Sequence, residues 1–372
     1  MNKYLDTFYD WWKNIDKFIL LLILTLFLLG LFFSLVSTSL IASDKLNTKS
    51  YYFFFKHFAY IILAILILIT FSFLNQKIIT KFSLILFLVS FLSLLLVPFL
   101  GIEVKGSKRW LDLFFLPRFQ PVEIVKPFFI VALSFMLTIQ NRRLYFKYLL
   151  STLFTVPILM LLVYQPDIGQ TLLISMVWLA LIFISGINIF VFFTFFFIIG
   201  SSVSYLVLFV PKFEYIKIRL FAFLDSSSSN NYQAEKASDA IINGGFFGKG
   251  IGEGTLNSRV PEAHTDYIVS VISEEFGAII VIGILFLYLI FSYRVIQKIN
   301  FLNEDLSKLI LTGCVSLILL QTFIHVGVNI RILPTTGMTL PFLSYGGSSL
   351  IGSAILAGII LNYTKNKSYL YD

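Results

Sequence analysis

Residues 261 to 277 read Pro-Glu-Ala-His-Thr-Asp-Tyr-Ile-Val-Ser-Val-Ile-Ser-Glu-Glu-Phe-Gly, which puts Asp266 at the mouth of an apolar run. Carboxylates at or inside a bilayer cost free energy, so their presence marks a functional position by default. Two kinds of chemistry suit such a group. It can take a proton as a general base, or it can help hold a divalent cation that activates a substrate oxygen. A structural role competes with both, because Thr265 or Asp266 would serve as N-cap of the helix that follows. The cap position also weakens the base. A helix N-terminus stabilises the charged carboxylate and keeps its pKa low, unless desolvation offsets it. On a helix beginning here, Asp266, Ser270, Ser273, Glu274 and Gly277 share one face, and Glu275 points elsewhere. Glu274 then falls about 12 Å along the axis from Asp266, below the interface. Such a stripe should face the bundle interior or a wet cavity.

Three further groups carry polar side chains in an apolar chain. Glu123 and Lys126 are three residues apart at the start of a hydrophobic run, so they pair on one helical face, either as a structural ion pair or as part of a site. Lys108-Arg109-Trp110 combines two cations with an aromatic. It reads as an interfacial anchor or as a diphosphate clamp. Gln165-Pro166-Asp167 reads as a turn in which Asp167 caps the next helix, ahead of any direct chemical role.

Two glycine-rich passages complete the inventory. Gly244 to Gly254 is not a nucleotide-binding loop, since Lys249 is followed by Gly250 where Ser or Thr is required. It is either a plain turn or backbone that passes close to a ligand or a helix end. Before it, Asn231 is placed to cap a short helix through Asn243, with Ala234, Ala237 and Ile241 on one face and Gly244 as its left-handed stop. Leu333 to Ser349 holds two prolines and three glycines between apolar flanks, and irregular backbone at membrane depth must be buried in protein or line a cavity. Ser349, Ser353 and Ala357, with Ala354 and Gly358, then recur every four residues as a small-residue packing face.

The elements that must position these groups are membrane helices. Hydrophobic residues make up 58% of the 372, charged ones 13%, and the mean hydropathy is +0.89. A run of about 20 apolar residues spans a bilayer. Ten such runs occur, near 17–40, 53–74, 82–100, 121–140, 144–164, 168–185, 188–210, 266–293, 308–330 and 343–363. The expectation is an all-α polytopic membrane protein forming one integral-membrane domain over 1–372. Its one long outer loop, 211–265, lies between spans 7 and 8 and is too short for an independent core. Span 1 is too long for a signal-peptide core and follows a charged stretch from Lys3 to Lys17. The single Cys314 lies inside span 9, and His57, His264 and His325 are too scattered for a zinc motif.

Basic residues in the short loops place both termini on the cytoplasmic side. Lys77, Lys81, Arg142, Arg143, Lys147, Arg294, Lys298 and Lys308 then face inward. The outer loops are also basic, with Lys105, Lys108, Arg109 and Arg118 in 101–120 and six more in 211–265. That excess suits an anionic partner at the membrane, and nothing points to nucleic acid.

Together these segments resemble the SEDS family (shape, elongation, division and sporulation), the polytopic glycosyltransferases of bacterial cell-wall synthesis. The resemblance covers nearly the whole chain. It rests on Lys108-Arg109-Trp110, Gln120-Pro121-x-Glu123-x-x-Lys126, Gln165-Pro166-Asp167-x-Gly169, Pro261 to Asp266, and Leu340-Pro341-Phe342-x-Ser344-Tyr345-Gly346-Gly347-Ser348-Ser349. Ala263, Thr339 and Asn243 to Gly248 look like the division-type branch. Val122, Ile168 and Tyr267 stand where the family usually has Ser, Leu and Phe, and no charged position is lost.

The resemblance implies polymerisation of lipid II on the outer face of the bacterial cytoplasmic membrane, at the division septum, with release of undecaprenyl diphosphate. It implies Asp266 as the catalytic residue. Lys108, Arg109, Glu123, Lys126, His264 and Ser344 become substrate-binding candidates, and Asp167, Glu262, Thr265, Glu274, Pro341, Gly346 and Gly347 supporting ones. A divalent cation such as magnesium or manganese is a possible cofactor, with Asp266 a possible ligand. Implied partners are the growing glycan strand, membrane lipid, a class B penicillin-binding protein acting as septal transpeptidase, and other division proteins. Two other classes compete. Glu123, Lys126, Glu274 and His325 would suit a lipid II flippase or proton-coupled transporter, and a scaffold for the transpeptidase would need no chemistry.

Overall fold

The computed structural model describes residues 2–38, 51–104, 107–113, 117–140, 142–214, 217–218, 221, 223, 232–256 and 260–365. Helices occupy all ten expected apolar segments. In chain order, α1 (Asn2–Asn14) precedes α2 (Lys17–Thr38), α3 (Tyr52–Phe73), α4 (Gln76–Leu100), α5 (Pro121–Leu137), α6 (Leu144–Tyr164), α7 (Ile168–Ile184) and α8 (Ile189–Phe209). Then come α9 (Tyr232–Gly244), α10 (Ile268–Phe276), α11 (Ala278–Asn300), α12 (Asp305–Asn329) and α13 (Gly347–Tyr363). Among the described residues, seven helices (α2, α3, α4, α6, α8, α11 and α12) are long and apolar enough to cross a membrane, and α7 and α13 are shorter apolar helices.

Three expectations change. The eighth apolar segment is two helices, because Gly277 (φ +83°) breaks it. Ala278–Asn300 meets the length of a span alone, so Glu274 lies before that span rather than inside it. A two-stranded antiparallel hairpin, β1 (Ile102–Val104) and β2 (Ser107–Trp110), interrupts the all-helical pattern. Finally, Gly244 ends α9 still helical, and the left-handed residue is Gly245 at φ +60°. Ala234, Ala237 and Ala240 form the buried face of α9, while Asn231 lies outside the described residues.

The core is built on α5, α12 and α13, which are buried along most of their length, whereas α8 stands at the edge and is largely exposed. The small-residue face of α13 explains its central place. A methyl group at Gly358 would sit 2.8 Å from the Leu68 carbonyl oxygen of α3, and one at Gly352 would clash with the Glu123 carbonyl of α5. Only small residues let three backbones approach this closely.

The two ends of the bundle differ. At one end Asp16 caps α2 through Phe18 and Ile19 (both 3.1 Å) and pairs with Arg294 and Lys298 of α11 (both 3.1 Å). Asn362 closes the last turn of α3 there, donating to the carbonyls of Phe71 (3.2 Å) and Ser72 (3.0 Å). At the other end meet four connections: the hairpin before α5, the α6–α7 turn, the stretch before α10 and the α12–α13 stretch. These carry nearly every candidate residue.

Candidate active site

The hairpin presents the cations. Lys108 pairs opposite Glu103 in register, and Leu111 bridges to Phe119. The register runs from Ile102–Trp110 to Glu103–Lys108, so Arg109 is the bulged residue with no partner on β1, and the expected two-cation clamp is split. Lys108 is exposed and Arg109 turns inward. The Arg109 guanidinium donates to the Pro166 carbonyl, and its Nε lies 3.7 Å from Asp167 Oδ2.

Asp167 caps α7 as expected, accepting from the Gln170 amide (3.4 Å), and its other oxygen accepts from Gln120 Nε2 (3.1 Å). Burial pushes the Asp167 carboxyl above the ordinary aspartate range, and Arg109 draws it back only in part. Asp167 therefore fixes Arg109, Gln120 and the start of α7.

Glu123 and Lys126 form the ion pair that their spacing predicts, with Nζ 2.8 Å from Oε2 and side chains only 5% and 2% exposed. Gln170 Nε2 donates to Glu123 (2.6 Å), and Lys126 donates to Gln321 Oε1 (3.0 Å). Gln321 in turn donates to the Thr339 carbonyl (2.9 Å). These partners engage both charges. The pair ties α5, α7 and α12 to the α12–α13 stretch.

Asp266 is half-buried in a turn that ends one residue before α10. The expected cap by Thr265 or Asp266 is not made. Glu262 (φ +55°) accepts from the Thr265 and Tyr267 amides (3.1 and 3.3 Å), and Tyr267 takes the cap position without a side-chain bond. The helix end is satisfied from outside. Asn329, the last residue of α12, accepts from the Ser270 amide (3.2 Å) and hydroxyl (2.8 Å), and its Nδ2 donates to the Asp266 carbonyl (3.0 Å). Asn329 thus makes the structural bonds at this helix end. Asp266 Oδ2 lies 3.5 Å from where a Cβ on Gly337 would stand, and Arg109 Nη1 lies 3.9 Å from the same point. Gly337 is exposed, at φ +71°. The carboxylate and the guanidinium thus face one another across a bare stretch of backbone.

The other candidates hold this frame. Ser344 is buried, donating to the Thr265 carbonyl (2.8 Å) and accepting from the Leu340 amide (2.8 Å), so it stitches two segments together. The Tyr345 amide donates to the His264 carbonyl (3.1 Å), and the His264 ring packs on Phe53 and Tyr345 (both 5.5 Å between centroids). The Pro341 carbonyl accepts from the Tyr288 hydroxyl. Gly346 opens α13, and Gly347 admits the Tyr60 ring, which a Cβ would approach to 2.6 Å. His325 Nδ1 lies 2.7 Å from the Met338 carbonyl.

Glu274 is buried and accepts from Asn243 Nδ2 and the Leu256 amide (both 2.9 Å), while Glu275 accepts from the Gly252 amide. Both hold the Gly244–Gly254 passage, so Glu274 does not continue a stripe from Asp266. That passage is backbone packed against a helix end. Lys249 and Gly250 amides donate to the Glu274 and Glu275 carbonyls (2.9 and 3.0 Å), and Gly248 and Gly277 lie too close to opposing backbone for any side chain.

Asn329, Gln321 and Gly337 carry the frame, and none was singled out by sequence. Asn329 and Gln321 are polar residues in the apolar run of α12, a signal that would have found both. Among the described residues, no group of three or more His, Cys, Asp or Glu side chains is arranged to hold a metal ion.

Residues 16–369 match the FtsW/RodA/SpoVE family of cell cycle proteins. The chain belongs to that family. It is 34% identical over 358 residues to a probable peptidoglycan glycosyltransferase FtsW of Coxiella burnetii, covering 93% of this chain and 95% of that protein. A probable peptidoglycan glycosyltransferase FtsW of Caulobacter vibrioides is 30% identical over 365 residues, 97% of this chain and 92% of that one. A solved structure concerned with coordination of polymerization and crosslinking by a peptidoglycan synthase complex superimposes with a TM-score of 0.77. It shares 26% identity and covers 94% of this chain and 97% of that one. The crystal structure of the rod shape determining protein RodA of Thermus thermophilus shares the fold, with a TM-score of 0.67 at 24% identity over 94% of this chain and 96% of that one.

Proposed function

We propose that this family member is a peptidoglycan glycosyltransferase that polymerises lipid II, and that Asp266 and Arg109 form its reacting centre. The observation that carries this reading is their meeting across Gly337 at the end of the bundle where four connections converge. The 4-hydroxyl oxygen of one sugar attacks the anomeric carbon at the lipid-linked end of a glycan strand. That carbon's bond to the diphosphate oxygen breaks, and undecaprenyl diphosphate leaves. Asp266 receives the hydroxyl proton, and Arg109 offers a planar cation to the leaving diphosphate. Exposed Lys108 belongs to the approach of anionic substrate rather than to the reacting centre.

If a divalent cation takes part, Asp266 is the carboxylate placed to hold it, with substrate phosphates and water as its other ligands. Such an ion would supply charge stabilisation of the leaving group. The relatives' names support a septal role, and the basic residues beside Arg294 and Lys298 support cytoplasmic termini. The neighbouring synthase complex supports a class B penicillin-binding protein as partner.

Asp266→Asn tests the reading. Its side chain does not cap α10, so the variant should fold and keep its partner while lipid II polymerisation in detergent collapses. Near-parental polymer formation would refute both the base and the cation-holding roles. Polymer formation by the parent without any ion gradient separates a polymerase from a flippase.

A further inference from the structure

We propose that α1 is a membrane-surface helix that lies in the headgroup region at the Asp16–Arg294 end of the bundle and inserts an aromatic ridge into the lipid. At 100° per residue, Trp11, Phe8, Trp12 and Tyr9 fall in one continuous arc, while Asp10 and Lys13 fall opposite. Trp11, at one edge of the arc, is 8% exposed. Its Nε1 donates to Ser72 Oγ (3.2 Å) and its ring packs on Phe73 (5.9 Å between centroids), at the end of α3. The rest of the arc is uncovered, with Phe8 54%, Tyr9 66% and Trp12 43% exposed.

The occupant of that ridge follows from its place. Only Ile15 and Asp16 separate α1 from the membrane-crossing α2, and Trp11 pins it to the end of the adjacent crossing helix α3. An aromatic arc held level with two span ends meets the boundary between headgroups and acyl chains, where Trp and Tyr are favoured. Lys17 lies 5.3 Å from the Trp12 ring centroid, setting a cation at the headgroup side. By sequence α1 carries Lys3 and Lys13 against Asp6 and Asp10. Its insertion therefore rests on aromatic burial and is indifferent to anionic lipid.

The test is single-site labelling. The one native cysteine, Cys314, is buried, so the parent chain should take up no thiol label and serves as blank. Tyr9→Cys and Asp10→Cys, both at exposed positions, receive an environment-sensitive fluorophore in phosphatidylcholine vesicles. The expected result is a blue-shifted label at position 9, quenched by a headgroup-level nitroxide lipid and shielded from aqueous iodide. The label at position 10 should show the reverse, and adding phosphatidylglycerol should change neither. Equal iodide quenching at both positions would overturn the proposal. So would shielding at position 9 without nitroxide quenching, which would mean that protein covers the ridge, or lipid quenching that needs the anionic lipid.

Discussion

Breaking the Glu123–Lys126 pair is the perturbation whose size the structure fixes best. Both charges are almost fully buried and each has one further polar partner. Removing one member of a buried pair costs about 3–5 kcal/mol because the other charge is left uncompensated. Glu123→Gln keeps a carbonyl that can accept from Lys126, so its cost should lie near the lower bound. Lys126→Met strands the carboxylate and removes the donor from Gln321, so its cost should lie near the upper one. The double variant removes both charges at similar volume and should recover most of the loss, leaving roughly 1 kcal/mol for unsatisfied amides. The charge-swapped variant should not recover. Gln321 spends its amide nitrogen on the Thr339 carbonyl, so its oxygen would face the relocated carboxylate. Unfolding of the four variants and parent in detergent, with lipid II polymerisation measured alongside, checks each value. Single variants within about 1 kcal/mol of parent, or a double variant as unstable as the sum, would refute the buried-charge account. A swap that restores stability and activity would refute the role given to Gln321.

Gly337→Ala should abolish polymerisation by filling the gap between Asp266 and Arg109. Gly186→Ala, at φ +89° with open space around it, carries the same left-handed penalty of about 1–2 kcal/mol and should retain activity. Gly277→Ala would meet the Phe246 carbonyl in a backbone region reserved for glycine, so the Gly244–Gly254 passage should detach and become protease-sensitive, at about 1–3 kcal/mol. Burial alone would raise the Asp16 carboxyl, but the Ile19 amide, Lys298 and Arg294 outweigh it and hold it below the ordinary range. Its contribution to stability is therefore full above the unfolded value of about 3.9 and is lost as pH falls through the lower folded value. Asp16→Asn, which keeps the cap, should flatten that acid limb in a pH series of unfolding measurements.

What could be read from sequence was whatever depends on neighbours within one helix. Apolar runs located the spans, the three-residue spacing paired Glu123 with Lys126, and Asp167 caps α7 because the Gln170 amide lies within the next turn. The hairpin is not legible in this way, because its register is set by a bulge that leaves Arg109 without a partner between Lys108 and Trp110. Nor is the break at Gly277, because its cause is the Phe246 backbone, distant in sequence. The ridge on α1 depends on how Trp11 seats against Ser72 and Phe73 of α3, which the helix's own residues do not encode.

The dipole objection to Asp266 as a base depends on the residue capping its helix, and the structure moves that burden elsewhere. Asn329 accepts from Ser270, two amides beyond Ile268, and so supplies from α12 the bond that a capping aspartate would have made. Asp266 is one residue further out, with its carbonyl held by the same asparagine and its carboxylate turned toward Gly337. A neutral amide thus fills the structural role that a charged side chain would have held. Asn329→Leu should test the division of labour. Losing the trans cap should tempt Asp266 back onto the α10 amides, lowering kcat for polymerisation while the protein stays folded. An Asn329→Leu variant with unchanged turnover would mean that Asp266 holds its place without Asn329.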